Sequence, residues 1–295
     1  MMRRDQKLFW VLLIPLTLIL FLFIALPIGQ TIFLSFYRII IGLPQLKTPY
    51  VAFENYRELF NDPVARHSFW ITIVFVSSST FFELLFGLFL ALLINHHFPG
   101  LGVLRACVLI PWAVPTVVAA QMWRFLLNDA YGMVNYVIFG SETSHYMPWL
   151  AQPATALTAI IVADIWKTSS FAALLILAGL QIIPETLYQA AKVDGAFLWQ
   201  RFRHITWPLI RPALLIALLF RTIDAFRVFD LAFVMTQGGP ADATNVLQLY
   251  GYKKMFVEGW MGYGSAISVG IFIIVLILSI AYMRIAGRRL LEASW

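Results

Sequence analysis

Residues 8–37 read LFWVLLIPLTLILFLFIALPIGQTIFLSFY and contain no charged side chain. A helix needs roughly 20 mostly apolar residues to cross a hydrocarbon core about 30 Å thick, so this run is long enough to span a membrane. Arg3, Arg4 and Lys7 precede it, as basic residues precede the apolar region of a signal peptide. The run is longer than such a region, however, and it ends without a small-residue cleavage site. The sequence therefore predicts a first transmembrane helix that is retained.

The composition of the 295-residue chain excludes an ordinary soluble enzyme. Hydrophobic residues make up 61% of the chain, charged residues make up 12%, and the mean hydropathy is +0.80. Soluble domains contain roughly 45–50% apolar and about 25% charged residues. Because so few charges cannot coat a globule of this size, most of the surface is expected to face lipid. The single cysteine, Cys107, excludes an internal disulfide and a cysteine-cluster metal site.

Five further stretches of the chain are apolar enough to cross the membrane. They lie at about residues 69–95, 106–123, 154–180, 212–235 and 259–283. Pro111 and Pro115 interrupt the third span, and each removes a backbone donor, so a kinked or broken helix is predicted there. Because no repeat or flexible linker divides the chain, residues 1–295 are expected to form one transmembrane domain with a core at 68–285. The predicted fold class is an all-α integral membrane protein with six transmembrane helices.

The Lys and Arg residues indicate the orientation of the six spans. An even number of crossings places both termini on one side, together with two of the loops. That side contains Arg3, Arg4, Lys7, Arg105, Lys192, Arg201, Arg203, Arg211, Arg284, Arg288 and Arg289, and the other side contains Arg38, Lys47, Arg57, Arg66, Lys253 and Lys254. Cytoplasmic loops carry the excess of Lys and Arg, so both termini and the loop at 181–211 are predicted to be cytoplasmic. The net charge of +6 thus reflects orientation in the cell membrane and not nucleic-acid binding, for which a basic stripe with stacking aromatics is missing.

The loop at 181–211 reads QIIPETLYQAAKVDGAFLWQRFRHITWPLIR. Pro184 and Glu185 suit the first turn of a helix, where proline is tolerated and an acid meets the positive end of the helix dipole. Asp194-Gly195 is a turn signal, because glycine adopts a positive φ without a Cβ clash. A second short helix is predicted from this turn to Pro208. From the residues alone, the loop is either a two-helix docking element or an amphipathic connector on the lipid headgroups.

This loop resembles the EAA loop of ABC-importer permease subunits. The resemblance is carried by Gln189, Ala190, Ala191, Asp194, Gly195, Ala196, Phe202, Ile205, Pro208 and Pro212. In that family the loop is the coupling helix that docks in a groove of the ATPase subunit, and the resemblance assigns this role to the matching residues here. Gln189 stands where the family has a glutamate, which removes a charge from the implied contact.

The resemblance extends over nearly the whole chain, and it is greatest to sugar permeases of the trehalose/maltose type. The segments that carry it are Asn55-Tyr56, Asp62-Pro63, Thr236 to Pro240, Trp166 to Thr168, Leu219 to Arg227, Phe229-Asp230 and Gly264 to Ser268. It implies a transporter subunit rather than an enzyme, paired with a second permease, two ATP-binding subunits and an extracytoplasmic sugar-binding protein. The implied substrate is a disaccharide such as trehalose or maltose, with other oligosaccharides, glycerol phosphate or polyols as alternatives.

Charged residues inside the predicted spans are candidates for the substrate path, because an ionisable group in a membrane helix is functional by default. Arg221, Asp224, Arg227 and Asp230 recur every three residues in the fifth span, and neighbours at this spacing can pair along a helix. This ladder either holds the helices together or lines a polar cavity for sugar hydroxyls. Asp164 and Lys167 of the fourth span allow the same two interpretations. For Glu83 the sequence leaves Arg105, a partner subunit or a helix end open as its environment.

Three aromatic residues near these charges, Trp166, Phe226 and Phe229, could pack against sugar rings. Aromatic side chains at helical spacing also pack in ordinary helix contacts, so both interpretations stay open.

Missing motifs narrow the function further. The chain has no G-x-x-x-x-G-K-[ST] loop, so no bound cofactor is predicted and ATP hydrolysis would belong to a partner. The five histidines, His67, His96, His97, His145 and His204, fall in loops or at span ends, which leaves no constellation for an intramembrane protease or metalloenzyme. An ion-coupled secondary transporter using Asp224 or Asp230 is the remaining alternative, and the docking loop argues against it.

Overall fold

The computed structural model describes residues 2–42, 48–96 and 99–292, and the described residues contain no β-strand. In chain order the helices are α1 (Met2–Leu20), α2 (Leu26–Leu34), α3 (Glu54–Asn61), α4 (Pro63–Ile94), α5 (Leu101–Ala113), α6 (Thr116–Leu126), α7 (Met133–Phe139), α8 (Pro153–Gln181), α9 (Glu185–Val193), α10 (Leu198–Arg201), α11 (Trp207–Phe226), α12 (Asp230–Thr236), α13 (Leu247–Tyr252) and α14 (Met261–Glu292). Lys47 and His97, which the sequence places in loops, lie outside the described residues.

The predicted all-α membrane fold is confirmed. Among the described residues, four stretches are long and apolar enough to cross a membrane, namely Leu13–Leu34, Pro63–Ile94, Pro153–Gln181 and Met261–Arg284. The count is five when the bent pair α5 and α6 is taken as one span. Helix α11 is long enough for another crossing, but it contains Arg211, Arg221 and Asp224 and is not apolar enough by composition alone. The predicted number of six spans is therefore compatible with the structure.

The predicted break in the third span lies between α5 and α6, which meet at an angle of 92°. Helix α5 ends at Ala113, and Val114 adopts an extended conformation with ψ of 130°. The following residue is Pro115, whose ring disfavours the helical conformation of the residue before it. Pro111 lies inside α5, so only the second proline separates the two helices.

The fifth span differs from the prediction at both ends. Helix α11 begins at Trp207, with Pro208 in its first turn and Pro212 inside it, so neither proline ends a helix. A π-helical turn, Phe202–Thr206, connects α10 directly to α11, so the helical backbone continues through Pro208. At the other end α11 stops at Phe226 and α12 begins at Asp230, so the predicted continuous helix to residue 235 is wrong.

The chain divides into two compact units, the first comprising Met1–Arg66 with Tyr250–Ile273 and the second His67–Leu249 with Ile274–Trp295. In the first unit the buried Asn55 side chain donates to the carbonyls of Ser35 at 2.7 Å and Tyr37 at 3.0 Å. The hydroxyls of Ser35 and Tyr56 lie 2.6 Å apart. The two bonds from Asn55 satisfy backbone carbonyls at the end of α2, which have no partner within the helix.

Asp62, directly before α4, is the centre of a second polar cluster in the first unit. One carboxylate oxygen accepts hydrogen bonds from the hydroxyls of Tyr250 and Tyr263, the latter at 2.6 Å, and the other accepts from the amide of Val64 at 2.9 Å. Burial raises the pKa of the Asp62 carboxyl, but these hydrogen bonds outweigh burial and leave its pKa below the usual value. The ionised Asp62 thus fixes both tyrosines at the start of α4.

In the second unit α8 is the most buried of the apolar helices, and it packs against α5 and α11. Gly87 of α4 allows close approach to α8, because a Cβ atom at Gly87 would lie 2.8 Å from that of Ala172. Glu83 is one helical turn before Gly87, and residues four apart share a helix face. The close contact of α4 and α8 therefore carries a carboxylate into the interior, where Glu83 is fully buried.

Candidate functional site

Charged side chains from α4, α8 and α11 meet around the guanidinium of Arg221. Its Nε lies 2.5 Å from Oε2 of Glu83 and its Nη2 lies 3.0 Å from Oε1, so one carboxylate receives two parallel bonds. Its Nη1 donates to Oδ2 of Asp224 at 2.6 Å, and Nη2 lies 3.6 Å from Oδ2 of Asp164. The side chain of Arg221 is only 3% exposed. A buried charge of this kind persists only when paired and hydrogen-bonded.

The partner of Glu83 is therefore Arg221, and the alternatives left by the sequence are corrected. Glu83 also accepts hydrogen bonds from Ser79 at 2.6 Å and Thr168 at 2.7 Å. Asp164 is 2.5 Å from the same Ser79 hydroxyl. The cluster thus joins three helices through hydrogen bonds between residues up to 138 positions apart, which no local pattern reveals.

The predicted charge ladder of the fifth span is only partly present. Arg221 and Asp224 pair as expected at this spacing, but α11 ends at Phe226 and its helical register ends with it. Arg227 occupies the position after the last helical residue, and Asp230 begins α12. Neither Arg227 nor Asp230 forms an ion pair within the described parts of the chain, so the ladder beyond Asp224 is wrong.

Lys167 is separate from this ladder although it follows Asp164 by one turn of α8. Its side chain is buried, and its amino group donates to the backbone carbonyl of Trp112 at 3.4 Å. The ring of Trp112 stacks on Phe171 with centroids 5.5 Å apart, and Phe171 meets Phe220 at 6.5 Å. A cation and an aromatic stack therefore lie together at the contact of α5, α8 and α11.

The three aromatic residues that the sequence proposed for a sugar site lie in different surroundings. Trp166 packs edge-on against Trp123 with centroids 6.0 Å apart, and Phe229 stacks on Phe233 at 5.1 Å. Phe226 is buried and lines an apolar cleft of about 860 Å³ between α4, α11 and the second half of α14. The structure does not bring these three rings together.

The 181–211 segment contains two helical arms around a glycine turn. Gln189, Ala190 and Ala191 lie in α9, Asp194 follows its last residue, and Gly195 has φ of +76°. The amide of Ala196 donates to the carbonyl of Ala191 at 2.8 Å, a bond typical of a glycine-terminated helix. The predicted first helix and turn are present, whereas the second arm continues through Phe202 and Pro208 into α11.

The tip of this segment exposes apolar side chains. Val193 is 88% exposed and Phe197 and Leu198 are each 76% exposed, while Trp199 stacks on Phe202 with centroids 5.7 Å apart. The two arms are joined by the hydroxyls of Tyr188 and Thr206, 2.9 Å apart. A group of exposed apolar side chains of this kind is typical of a protein-binding site.

Within residues 2–42, 48–96 and 99–292, no group of three His, Cys, Asp or Glu side chains is arranged to hold a metal ion.

Residues 83–291 match the family described as the binding-protein-dependent transport system inner membrane component. The chain belongs to this family. It is therefore a membrane-embedded permease subunit of an ABC transporter and not an enzyme. The 181–211 segment and the charge cluster both lie within the matched residues.

Relatives of this permease align over nearly the full length of both chains. The trehalose/maltose transport system permease protein MalF of Thermococcus litoralis is 41% identical over 97% of this chain and 96% of its own. The sulfoquinovosyl glycerol transport system permease protein SmoG of Agrobacterium fabrum is 39% identical over 95% of this chain and 91% of its own. The trehalose transport system permease protein SugA of Mycobacterium tuberculosis is 34% identical over 96% and 90%, respectively.

The fold of the permease also resembles solved transporters. A chain of a bacterial ABC transporter that imports the acidic polysaccharide alginate superposes with a TM-score of 0.83, at 22% identity, over 97% of this permease and 96% of that chain. A chain of the MetNI methionine ABC transporter superposes with a TM-score of 0.56 at 21% identity, over 80% and 98%. At these identities the likeness extends to the fold alone.

Sequence reasoning missed Ser79, Thr168, Trp112, Phe171 and Phe220 as members of the polar cluster and the aromatic stack. Serine, threonine and aromatic residues are common in transmembrane helices, so their types carry no signal by themselves. The charged residues nearby were recognisable because they are rare in such helices.

Proposed function

We propose that this permease is one half of the translocation pore of an ATP-driven carbohydrate importer, with a disaccharide such as trehalose or maltose as substrate. The main support for this function is the 41% identity, over 97% of the chain, to a trehalose/maltose permease. The relative that transports sulfoquinovosyl glycerol supports the broader carbohydrate class, which includes glycosides of glycerol. Its partners are a second, homologous permease, two ATP-binding subunits and an extracytoplasmic sugar-binding protein.

The substrate path is proposed to include the exposed part of the charge cluster. The Asp224 side chain is 68% exposed, so its carboxylate is available to accept hydrogen bonds from sugar hydroxyls. The exposed Trp112 ring, which stacks on Phe171, supplies an aromatic face of the kind that contacts sugar rings. Arg221, Asp164 and Lys167 are buried, and we assign them to the scaffold behind the path. For the other candidates we retain the role in the substrate path that the sequence suggested: Trp166, Phe226, Arg227, Phe229 and Asp230.

The 181–211 segment is proposed to couple the permease to the ATPase. The apolar side chains around Phe197 and Leu198 at the tip are more favourably placed in a groove of a partner protein than in water. Gln189, Ala190 and Ala191 on α9 and the turn at Gly195 set the direction of the tip. Because α10 leads through a π-helical turn into α11, a movement of the tip reaches Arg221 through one helical connection. ATP-driven closure of the ATPase pair would thereby alternate access to the path.

ATP hydrolysis by the whole complex tests the function. The permease is reconstituted with its partner permease and ATPase in liposomes, and hydrolysis is measured with the sugar-binding protein loaded with trehalose, maltose, longer oligosaccharides, glycerol phosphate or a polyol. We expect the disaccharide-loaded protein to stimulate hydrolysis and uptake more than the unloaded protein, which is the control. Stimulation by glycerol phosphate alone would reassign the substrate, and uptake driven by an ion gradient without ATP would reject the importer.

A labelling experiment tests the proposed orientation. In a Cys107→Ser background, single cysteines replace Lys192 in the 181–211 segment, Asn61 at the end of α3 and Gly239 after α12. If both termini and the coupling segment are cytoplasmic, as the positive-inside rule predicts, a membrane-impermeant thiol reagent added outside should label positions 61 and 239 only. Labelling of position 192 in intact cells would reverse the topology, and permeabilised cells provide the control for accessibility.

A further inference from the structure

The Asp224–Arg221 ion pair combines an exposed acid with a buried base. Such a pair on a helix surface normally contributes little, since both side chains are free to move in water. Here only the carboxylate is exposed, at 68%, whereas the arginine side chain is 3% exposed. The direction of the Asp224 carboxylate therefore depends on what holds the guanidinium.

Glu83 holds it from the opposite side. Its two oxygens accept from Nε at 2.5 Å and from Nη2 at 3.0 Å, which fixes the plane of the guanidinium as well as its position. With Nε and Nη2 engaged, Nη1 points to Oδ2 of Asp224 at 2.6 Å. Glu83 is itself fixed by Ser79 and Thr168.

The distances to the guanidinium identify Glu83, and not Asp164, as the acid that holds Arg221. Glu83 receives the two bonds from Arg221, whereas Asp164 is 3.6 Å from the nearest guanidinium nitrogen. The hydroxyl of Ser79 lies between the two acids, 2.6 Å from Oε1 of Glu83 and 2.5 Å from Oδ2 of Asp164.

We infer that Glu83 is a positioning residue for substrate transfer: through Arg221 it orients the Asp224 carboxylate towards the sugar. This inference rests on the proposed function, in which Asp224 lies on the substrate path. Glu83 touches no substrate, because it is fully buried.

The test uses the complete complex in liposomes and measures the number of sugar molecules transported per ATP hydrolysed. This ratio does not depend on how much complex assembles, so a purely structural role leaves it unchanged. We expect Asp224→Asn and Glu83→Gln each to lower the ratio roughly tenfold, the size of one lost hydrogen bond to a charged group. The double variant should be no worse than Asp224→Asn alone, because both changes remove the same contact. The exposed Glu142→Gln is the matched control.

If the Glu83→Gln complex fails to assemble, Arg221→Lys replaces it, since lysine keeps the charge but not the planar fork. The same fall in the ratio is expected, and an unchanged ratio overturns the inference. A lowered ratio in Asp224→Asn with an unchanged ratio in Glu83→Gln, or additive effects in the double variant, rejects only the role of Glu83. An unchanged ratio in Asp224→Asn rejects the proposed path, and a wild-type complex that moves no sugar rejects the proposed function. Either result rejects this inference as well.

Discussion

Arg221→Met should remove nearly all of the assembled transporter. The effect of this change is therefore expected on assembly rather than on the transport rate of an intact complex. The change leaves the fully buried Glu83 carboxylate without a cation, with a second acid, Asp164, sharing its serine. Removing one partner of a buried ion pair costs about 3–5 kcal/mol, because the other charge stays buried and unpaired. The expected result is loss of the permease from the purified complex, measured by co-purification and by thermal stability in detergent.

Second substitutions that restore assembly distinguish the charge cluster between three helices from a ladder of charges along one helix. Neutralising Arg221 and Asp224 together should not restore assembly, because Asp224 is exposed and the uncompensated charge is that of Glu83. The double change Glu83→Gln with Arg221→Met should restore it, since the pair is then replaced by neutral groups of similar size. Arg227→Met serves as the control and should assemble at the wild-type level. If the Asp224 change restored assembly and the Glu83 change did not, Glu83 would not be the main partner of Arg221 in the charge cluster.

Gly195→Val should abolish transport while the protein still inserts into the membrane. Gly195 has φ of +76°, and a side chain at positive φ costs roughly 1–2 kcal/mol, more for a β-branched residue. The space around Gly195 is open, so the penalty comes from the backbone and not from a clash. Relief of the strain would break the bond from Ala196 to Ala191 and turn the apolar tip away. We expect at least about a tenfold loss of co-purified ATPase.

A graded series provides the control for this position. Gly195→Asn should retain much of the coupling, because asparagine tolerates the left-handed conformation better than other residues. Membrane insertion is checked by the amount of protein in washed membranes, and coupling by ATPase bound and sugar taken up. Normal ATPase binding and uptake in Gly195→Val would show that the turn does not direct docking.

Much of the fold follows from local sequence. The charge-free run at 8–37 requires a membrane whatever surrounds it, because hydropathy is a property of composition. Pro115 breaks the third span through its own ring, and Gly195 permits the turn through its missing Cβ. Each of these effects acts within a few residues, and each was predictable from those residues alone.

The charge cluster depended on the tertiary structure. The spacing of Arg221, Asp224, Arg227 and Asp230 fitted a ladder only if the helix continued. The helix ends at Phe226, and no proline or glycine next to this position indicates the end in the sequence. Gly87 lets α4 approach α8 closely, and α8 packs against α11, which carries the partner of Glu83, 138 residues away. Sequence determined that these charges must be paired, since an unpaired charge in a membrane helix is too costly. Which charges pair was decided by helix packing, because the distance between two helices depends on the side chains of both.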